Sequence, residues 1–84
     1  MTVQIYAGNL PYTLSDENLK DLFEKHGEVG EAKIIRDRET GRSRGFGFIE
    51  MNNGDEAEIA ILELNGFDVS GRNIKVNVAR PRRR

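Results

Sequence analysis

The chain has 84 residues, 37% of them hydrophobic and 32% charged, with a net charge of −1 and no cysteine. That length and balance suit one soluble domain with a small core, and they exclude a disulfide framework and a thiolate metal site. No apolar run approaches the roughly 18 residues of a membrane span, and Met1-Thr2-Val3-Gln4-Ile5-Tyr6 does not supply a basic start followed by the apolar stretch of a secretory signal.

From the N-terminus, Val3 to Gly8 alternates, with Val3, Ile5 and Ala7 on one side and Gln4, Tyr6 and Gly8 on the other. This predicts a strand with one face for the core. Asn9 to Thr13 reads as a loop around Pro11. Ser15 is a good N-cap, Asp16 and Glu17 complement the positive helix end, and Leu19, Leu22 and Phe23 follow at helical spacing. A helix is expected over about Asp16 to His26, with Gly27 as its left-handed stop. Val29 to Arg36 is a second strand, with Ala32 and Ile34 inward and Lys33 and Ile35 outward. After the polar turn Asp37 to Ser43, Arg44 to Met51 alternates again. Gly47, Ile49 and Met51 take one face, and Arg44, Phe46, Phe48 and Glu50 the other. Asp55 to Leu64 carries Ala57, Ala60, Ile61 and Leu64 on one stripe and is a second helix, ended by Asn65-Gly66. Ile59 and Leu62 fall off that stripe and read as scattered surface residues. Arg72 to Ala79 is the last strand, with Ile74, Val76 and Val78 inward and Asn73, Lys75 and Asn77 outward. Pro81 ends pairing, and Arg82, Arg83 and Arg84 form a basic tail.

The order β-α-β-β-α-β is the ferredoxin-like α+β pattern: a four-stranded antiparallel sheet with two helices on one face. Its other face is open to water and should be polar, yet it would carry Tyr6, Phe46 and Phe48. A cluster of exposed aromatics marks a binding surface. Charge is divided to match. Arg36 to Arg44 holds four basic against two acidic residues, and Arg72 onward holds six basic residues and no acid. The segment between them holds only six acids, and the first 35 residues hold six acids against three lysines. Lys33, Arg44, Lys75 and Arg80 would ring the aromatics. Flat rings stack on bases, and cationic groups hold phosphates.

Arg44-Gly45-Phe46-Gly47-Phe48-Ile49-Glu50-Met51 resembles the octamer motif of the RNA-recognition motif family, and Ile5-Tyr6-Ala7-Gly8-Asn9-Leu10 resembles its hexamer motif. Order and spacing match from about Val3 to Ala79, and the layout is similar to small bacterial and plant glycine-rich RNA-binding proteins with a single such domain. The resemblance implies one domain over residues 1–80 and a tail over 81–84. The two motif strands would lie side by side at the sheet centre. Tyr6 and Phe48 would each stack under one base, Phe46 would pack on the sugars between them, and Arg44 would pair with a phosphate. Gly45 and Gly47 would leave the backbone clear beside the rings. Gln4, Lys33, Lys75, Asn77 and the segment Ala79-Arg80 would supply further phosphate and base-edge contacts. Two positions depart from the family pattern. The octamer closes on Met51 rather than an aromatic, which alternation assigns to the core, and Ala7 is smaller than the usual branched residue.

The partner expected is single-stranded RNA, bound by a monomer without a cofactor or metal and without a membrane. Single-stranded DNA is an alternative, because stacking is blind to the sugar, and a protein-docking role for the helical face is another. Acylphosphatases share this topology, but the loop Gly8 to Thr13 carries no arginine to cradle a phosphate, and no nucleophile–base set stands out, so no enzyme activity is expected. His26, the only histidine, reads as structural. A cytoplasmic placement is expected, with nucleus and organelle left open.

Overall fold

The alternating segments pair and the spaced stripes coil as expected, with one addition near the C-terminus. The computed structural model describes residues 2–79. Its elements are β1 (Val3–Gly8), α1 (Asp16–Glu24), β2 (Val29–Arg36), β3 (Ser43–Met51), α2 (Gly54–Leu64), β4 (Asp68–Val69), β5 (Arg72–Asn73) and β6 (Lys75–Val78). Four strands form an antiparallel sheet in the order β2-β3-β1-β6, and β4 and β5 form a separate two-stranded ribbon. The motif strands β1 and β3 are therefore neighbours at the centre.

Both helices seal one face. Leu19 and Phe23 of α1 and Ala57, Ala60 and Leu64 of α2 are buried together with Ile5, Ala7, Ile34, Ile49, Met51 and Val76 from the strands. Met51 is fully buried, as its phase requires. The α1 N-terminus is closed by a reciprocal capping box. The Asn18 N–H donates to Ser15 Oγ at 3.1 Å and the Ser15 N–H to Asn18 Oδ1 at 3.3 Å, which satisfies two donors the helix leaves free. Asp16 does more than complement the helix dipole. Its Oδ1 accepts the Ile34 N–H at 2.8 Å, beside the irregularity that interrupts β2 pairing between Ile34 and Arg36. The helix is thereby tied to the strand it covers.

Three expectations are corrected. The first helix ends at Glu24, two residues before His26. Gly27 is not left-handed: the chain leaves α1 by a tightened turn in which the His26 N–H donates to the Phe23 carbonyl at 3.0 Å. What requires glycine at position 27 is space, because a Cβ there would overlap the Glu56 side chain. The predicted last strand is broken at Ile74. That residue donates to the Phe67 carbonyl at 3.0 Å and accepts from the Gly66 N–H at 2.7 Å, so pairing with β1 begins only at Lys75. Upstream of the break, Asp68–Val69 and Arg72–Asn73 form a hairpin through Ser70 (φ 51°) and Gly71 (φ 89°), with the Gly71 N–H on Asp68 Oδ1 at 2.9 Å. Two consecutive positive φ values match the right-handed twist of paired strands. Val78 takes the inward phase as expected, opposite Ile5, yet is half exposed. It ends the edge strand, where a groove opens between α2 and β6 along Val3, Ile61 and Leu62. Pro81 and the residues Arg82, Arg83 and Arg84 lie outside the described residues.

Candidate nucleic-acid interface

The open face is organised in rows across the strands. Tyr6 of β1 stands opposite Asn77 of β6 on one side and opposite Phe48 of β3 on the other, and Phe48 stands opposite Lys33 of β2. Since paired residues share a face, Asn77, Tyr6, Phe48 and Lys33 form one continuous line. Phe46, two residues before Phe48, completes a triangle of rings. The centroids are 6.0 Å apart for Tyr6–Phe46, 5.9 Å for Tyr6–Phe48 and 6.2 Å for Phe46–Phe48. The rings support one another at distances where aromatic quadrupoles attract. Phe48 is 39% exposed, and Tyr6 and Phe46 are half-buried. Tyr6 and Phe48 are inclined at 62°, so bases laid flat on both rings as they stand would be splayed rather than parallel.

Three glycines shape this platform, for different reasons. At Gly8 a Cβ would meet the Tyr6 ring and hydroxyl, so the ring reaches along the strand because position 8 has no side chain. Gly47 does not clear the ring face as expected. It lies on the buried face, where a Cβ would come within 2.5 Å of the Lys33 carbonyl oxygen and 3.0 Å of Ile34 Cα. Its role is the close approach of β2 to β3. Gly45 has φ +85°, the left-handed region that favours glycine, and its carbonyl accepts the Leu10 N–H at 2.8 Å, anchoring the β1–α1 loop.

The remaining predicted site residues divide by row. Gln4 stands opposite Glu50, which stands opposite Glu31, and with Lys33 and Phe48 these residues line a depression of about 170 Å³. Lys75 stands opposite Gly8 at the other end, and Arg44 is exposed near the start of β3. Arg80 lies outside the described residues. The face is thus polarised, with carboxylates at the Gln4 end and cations at the Arg44 and Lys75 end.

Sequence reading missed a group beside that basic end. Asn9, at φ 56°, donates from Nδ2 to the Asn73 carbonyl at 2.9 Å and accepts from Arg72 Nη2 at 2.7 Å on Oδ1. Arg72 in turn sits over the Tyr12 ring, 5.5 Å from its centroid. Tyr12, 63% exposed, borders a cleft of about 730 Å³ with Arg36, Arg42 and Arg44. An exposed aromatic in a loop that otherwise reads as a connector was the available signal.

Comparison with known proteins agrees with this geometry. The family model for the RNA recognition motif matches residues 5–75. The chain is 52% identical over 81 residues to the chloroplastic RNA-binding protein CP31B of Arabidopsis thaliana, covering 96% of this chain and 28% of that protein. It is 46% identical over 82 residues to the mitochondrial glycine-rich RNA-binding protein 4 of the same plant, covering 98% of this chain and 60% of that one. It therefore spans less than two thirds of either relative. Among solved structures, RNA binding protein PG1 superposes with a TM-score of 0.91 at 45% identity, covering 98% of this chain and 99% of that one. The Rna15 domain with bound RNA (GU) superposes with a TM-score of 0.82 at 33% identity, covering 90% of this chain and 81% of that one.

Proposed function

Because the chain belongs to the RNA recognition motif family, we propose that it binds single-stranded RNA across the open sheet face as a monomeric binding module rather than a catalyst. The observation that carries this is the row Asn77–Tyr6–Phe48–Lys33, with Phe46 beside it. Tyr6 and Phe48 each stack a base, and Phe46 packs on the sugars between them. Asn77 offers a base-edge donor and acceptor at one margin. Lys33, Lys75 and Arg44 take phosphates, and Gln4 reads a base at the carboxylate end. The bound Rna15 domain, a relative by structure, supports the same use of the fold.

The energies agree with several weak contacts acting together. Base stacking contributes about 1–3 kcal/mol per base, so two stacks supply roughly 2–6 kcal/mol. A micromolar complex needs about 8 kcal/mol. Phosphate contacts supply the difference, and affinity then falls with salt by about 0.7 log units per log unit for each phosphate neutralised.

We take residues 1–80 as the domain and 81–84 as a basic extension that adds phosphate contacts. The family match over 5–75 falls inside that domain. No helix among the described residues is long and apolar enough to cross a membrane. The setting we propose is intracellular, and the chloroplastic and mitochondrial names of the two plant relatives favour an organelle over the cytoplasm expected from the sequence.

The test is a fluorescence titration of the wild type and a Tyr6→Ala, Phe48→Ala variant against single-stranded RNA and the matching DNA. The variant keeps the wild-type melting curve and loses at least about tenfold in affinity, given the loss of two stacks. Unchanged affinity would remove the platform from the account. Tighter binding to the DNA would make DNA the ligand.

A further inference from the structure

The row that crosses the open face ends on the two edge strands, with Lys33 on β2 and Asn77 on β6. Edges are the weak margins of a sheet, because their outward N–H groups have no neighbouring strand to take them. We infer that Asp16 and Asn65 are positioning residues for RNA: each clamps one edge strand from a helix and so holds in place the end of the row that a nucleotide meets. The inference rests on the platform reading above and adds to it two residues outside the row.

Three observations converge on it. The first is a matched pair of hydrogen bonds. The Ile34 N–H donates to Asp16 Oδ1 at 2.8 Å, and the Val76 N–H donates to Asn65 Oδ1 at 3.0 Å. An amide given to a helix side chain is not given to the adjoining strand, so both N–H groups point off the edge of the sheet. The first turn of α1 supplies one oxygen and the C-cap of α2 supplies the other. The two helices thus grip opposite edges of one sheet with the same kind of side-chain acceptor. Asp16 is free for this task, because Ser15 and Asn18 already cap α1.

The second is position. Ile34 directly follows Lys33, and Val76 directly precedes Asn77. Ile34 and Val76 are buried, and successive strand residues alternate in side. Each clamped residue therefore has its side chain in the core, its amide on a helix, and the terminal residue of the row beside it in the chain. Only two soft backbone dihedrals per residue separate the clamped amide from that neighbour. Holding the first leaves the second little freedom beyond its own side chain, with Lys33 kept opposite Phe48 and Asn77 opposite Tyr6.

The third is that both clamps sit where strand pairing alone is weak. Pairing of β2 with β3 is irregular between Ile34 and Arg36. Pairing of β6 with β1 begins only at Lys75, after the break at Ile74, and β6 is four residues long. Segments beside such interruptions open at lower free energy than the middle of a sheet. A row whose ends open part of the time binds with an affinity reduced by the fraction of time it is complete. Oxygens from the covering helices remove that loss at both margins without placing any group on the open face.

The experiment uses the whole chain, native-state amide exchange, and titration with fluorescently labelled oligouridine at a temperature where circular dichroism shows every variant folded. In the wild type the Ile34 and Val76 amides exchange slowly although they lie on sheet edges. Asn65→Ala speeds exchange at Val76 and weakens binding by about fivefold, as one neutral hydrogen bond contributes. The same change costs nothing further in an Asn77→Ala background. Asp16→Ala speeds exchange at Ile34, weakens binding by about threefold at low salt and takes up to about 0.7 off the salt slope, as the Lys33 contact loosens. It costs nothing further in a Lys33→Gln background. Asp16→Asn removes the same charge but keeps an acceptor, and Asn65→Asp also keeps one. Both retain slow exchange and bind within about twofold of the wild type, the allowance for one altered surface charge. Loss of an anion alone tightens RNA binding, so the weakening by Asp16→Ala has the opposite sign to a charge effect. Losses that persist in the Asn77→Ala or Lys33→Gln backgrounds would mark general loosening. Unchanged affinity despite fast exchange would show that the row needs no clamp, and Asp16→Asn binding no better than Asp16→Ala would remove the acceptor from the account. Each of these outcomes, like fast exchange in the wild type, overturns the positioning role while leaving the platform intact. If the wild type does not bind oligouridine, the platform reading fails first and the positioning role with it, whatever the exchange shows.

Discussion

The two faces of the sheet are made by the same strands, one residue out of phase, and they are built to opposite rules. On the covered face Ile5, Ala7, Ile49, Met51 and Val76 are shut away against both helices, and position 47 has no room for a methyl group. On the open face Tyr6, Phe46 and Phe48 touch mainly one another, and the residues around them carry charge. Close packing makes the first face intolerant of small volume changes, whereas partly exposed rings have room to move. On the proposed reading, stability and binding therefore sit on different sides of a single pleat. Substitutions should sort by phase: on one side they lower the melting temperature, and on the other they change affinity.

Two glycines give the sharpest way to break that division. Gly47→Ala pushes a methyl group into the backbone of β2 at Lys33 and Ile34. A backbone cannot yield as a side-chain tip can, so the cost falls in the overpacking range of about 1–3 kcal/mol. A domain of this size then melts about 4–8 °C lower for each kcal/mol, which circular dichroism will register. Gly8→Ala meets only the mobile end of Tyr6. The ring lifts, one stack is impaired, and RNA affinity drops about fivefold, near the lower end of what a stack contributes. The melting temperature stays within about 2 °C, since little packing is lost. If Gly8→Ala unfolds the protein, or Gly47→Ala changes affinity alone, the faces are not independent.

The same phase rule explains what could be read in advance. In β1 and β3 a one-residue slip would have exposed Ile5 and Ile49 while burying Gln4 and Glu50, so the phase of each strand and the side taken by the three rings followed from the sequence. The C-terminal third was less legible because its cues are tertiary. Ile74 satisfies the period of a continuous strand, yet its backbone pairs with Gly66 and Phe67. Only Ser70-Gly71 after Asp68 hinted at a turn. Leu10 sits in a loop by every local signal and is nevertheless fully buried, held by Gly45. Gly27 was read as a conformational requirement when it is a spatial one. At the site, Lys33 and Asn77 were identified as outward residues, but their alignment with Tyr6 and Phe48 depends on strand register. The support of Tyr12 by Asn9 and Arg72 joins residues more than 60 positions apart, which no local pattern displays.

The smallest expected effect tests whether charge alone distinguishes the two ends of the open face. Glu50 lies beside Gln4 and Glu31, next to Phe48. If those carboxylates only repel the sugar–phosphate chain, Glu50→Gln removes one unfavourable charge. At about 8 Å in water-like surroundings one such pair is worth about 0.5 kcal/mol, so oligouridine binds about twofold tighter at low salt, and the gain disappears near 1 M, where screening is complete within about 3 Å. A carboxylate that instead accepts a hydrogen bond from a base amino group would give the opposite sign on cytosine-containing RNA, with weaker binding that persists at high salt. Titrations of this variant on oligouridine and oligocytidine at two salt concentrations separate the outcomes. A loss on oligouridine would mean that the carboxylate accepts from a uracil N3–H or a ribose hydroxyl, and the acidic end would then belong to the site rather than bound it.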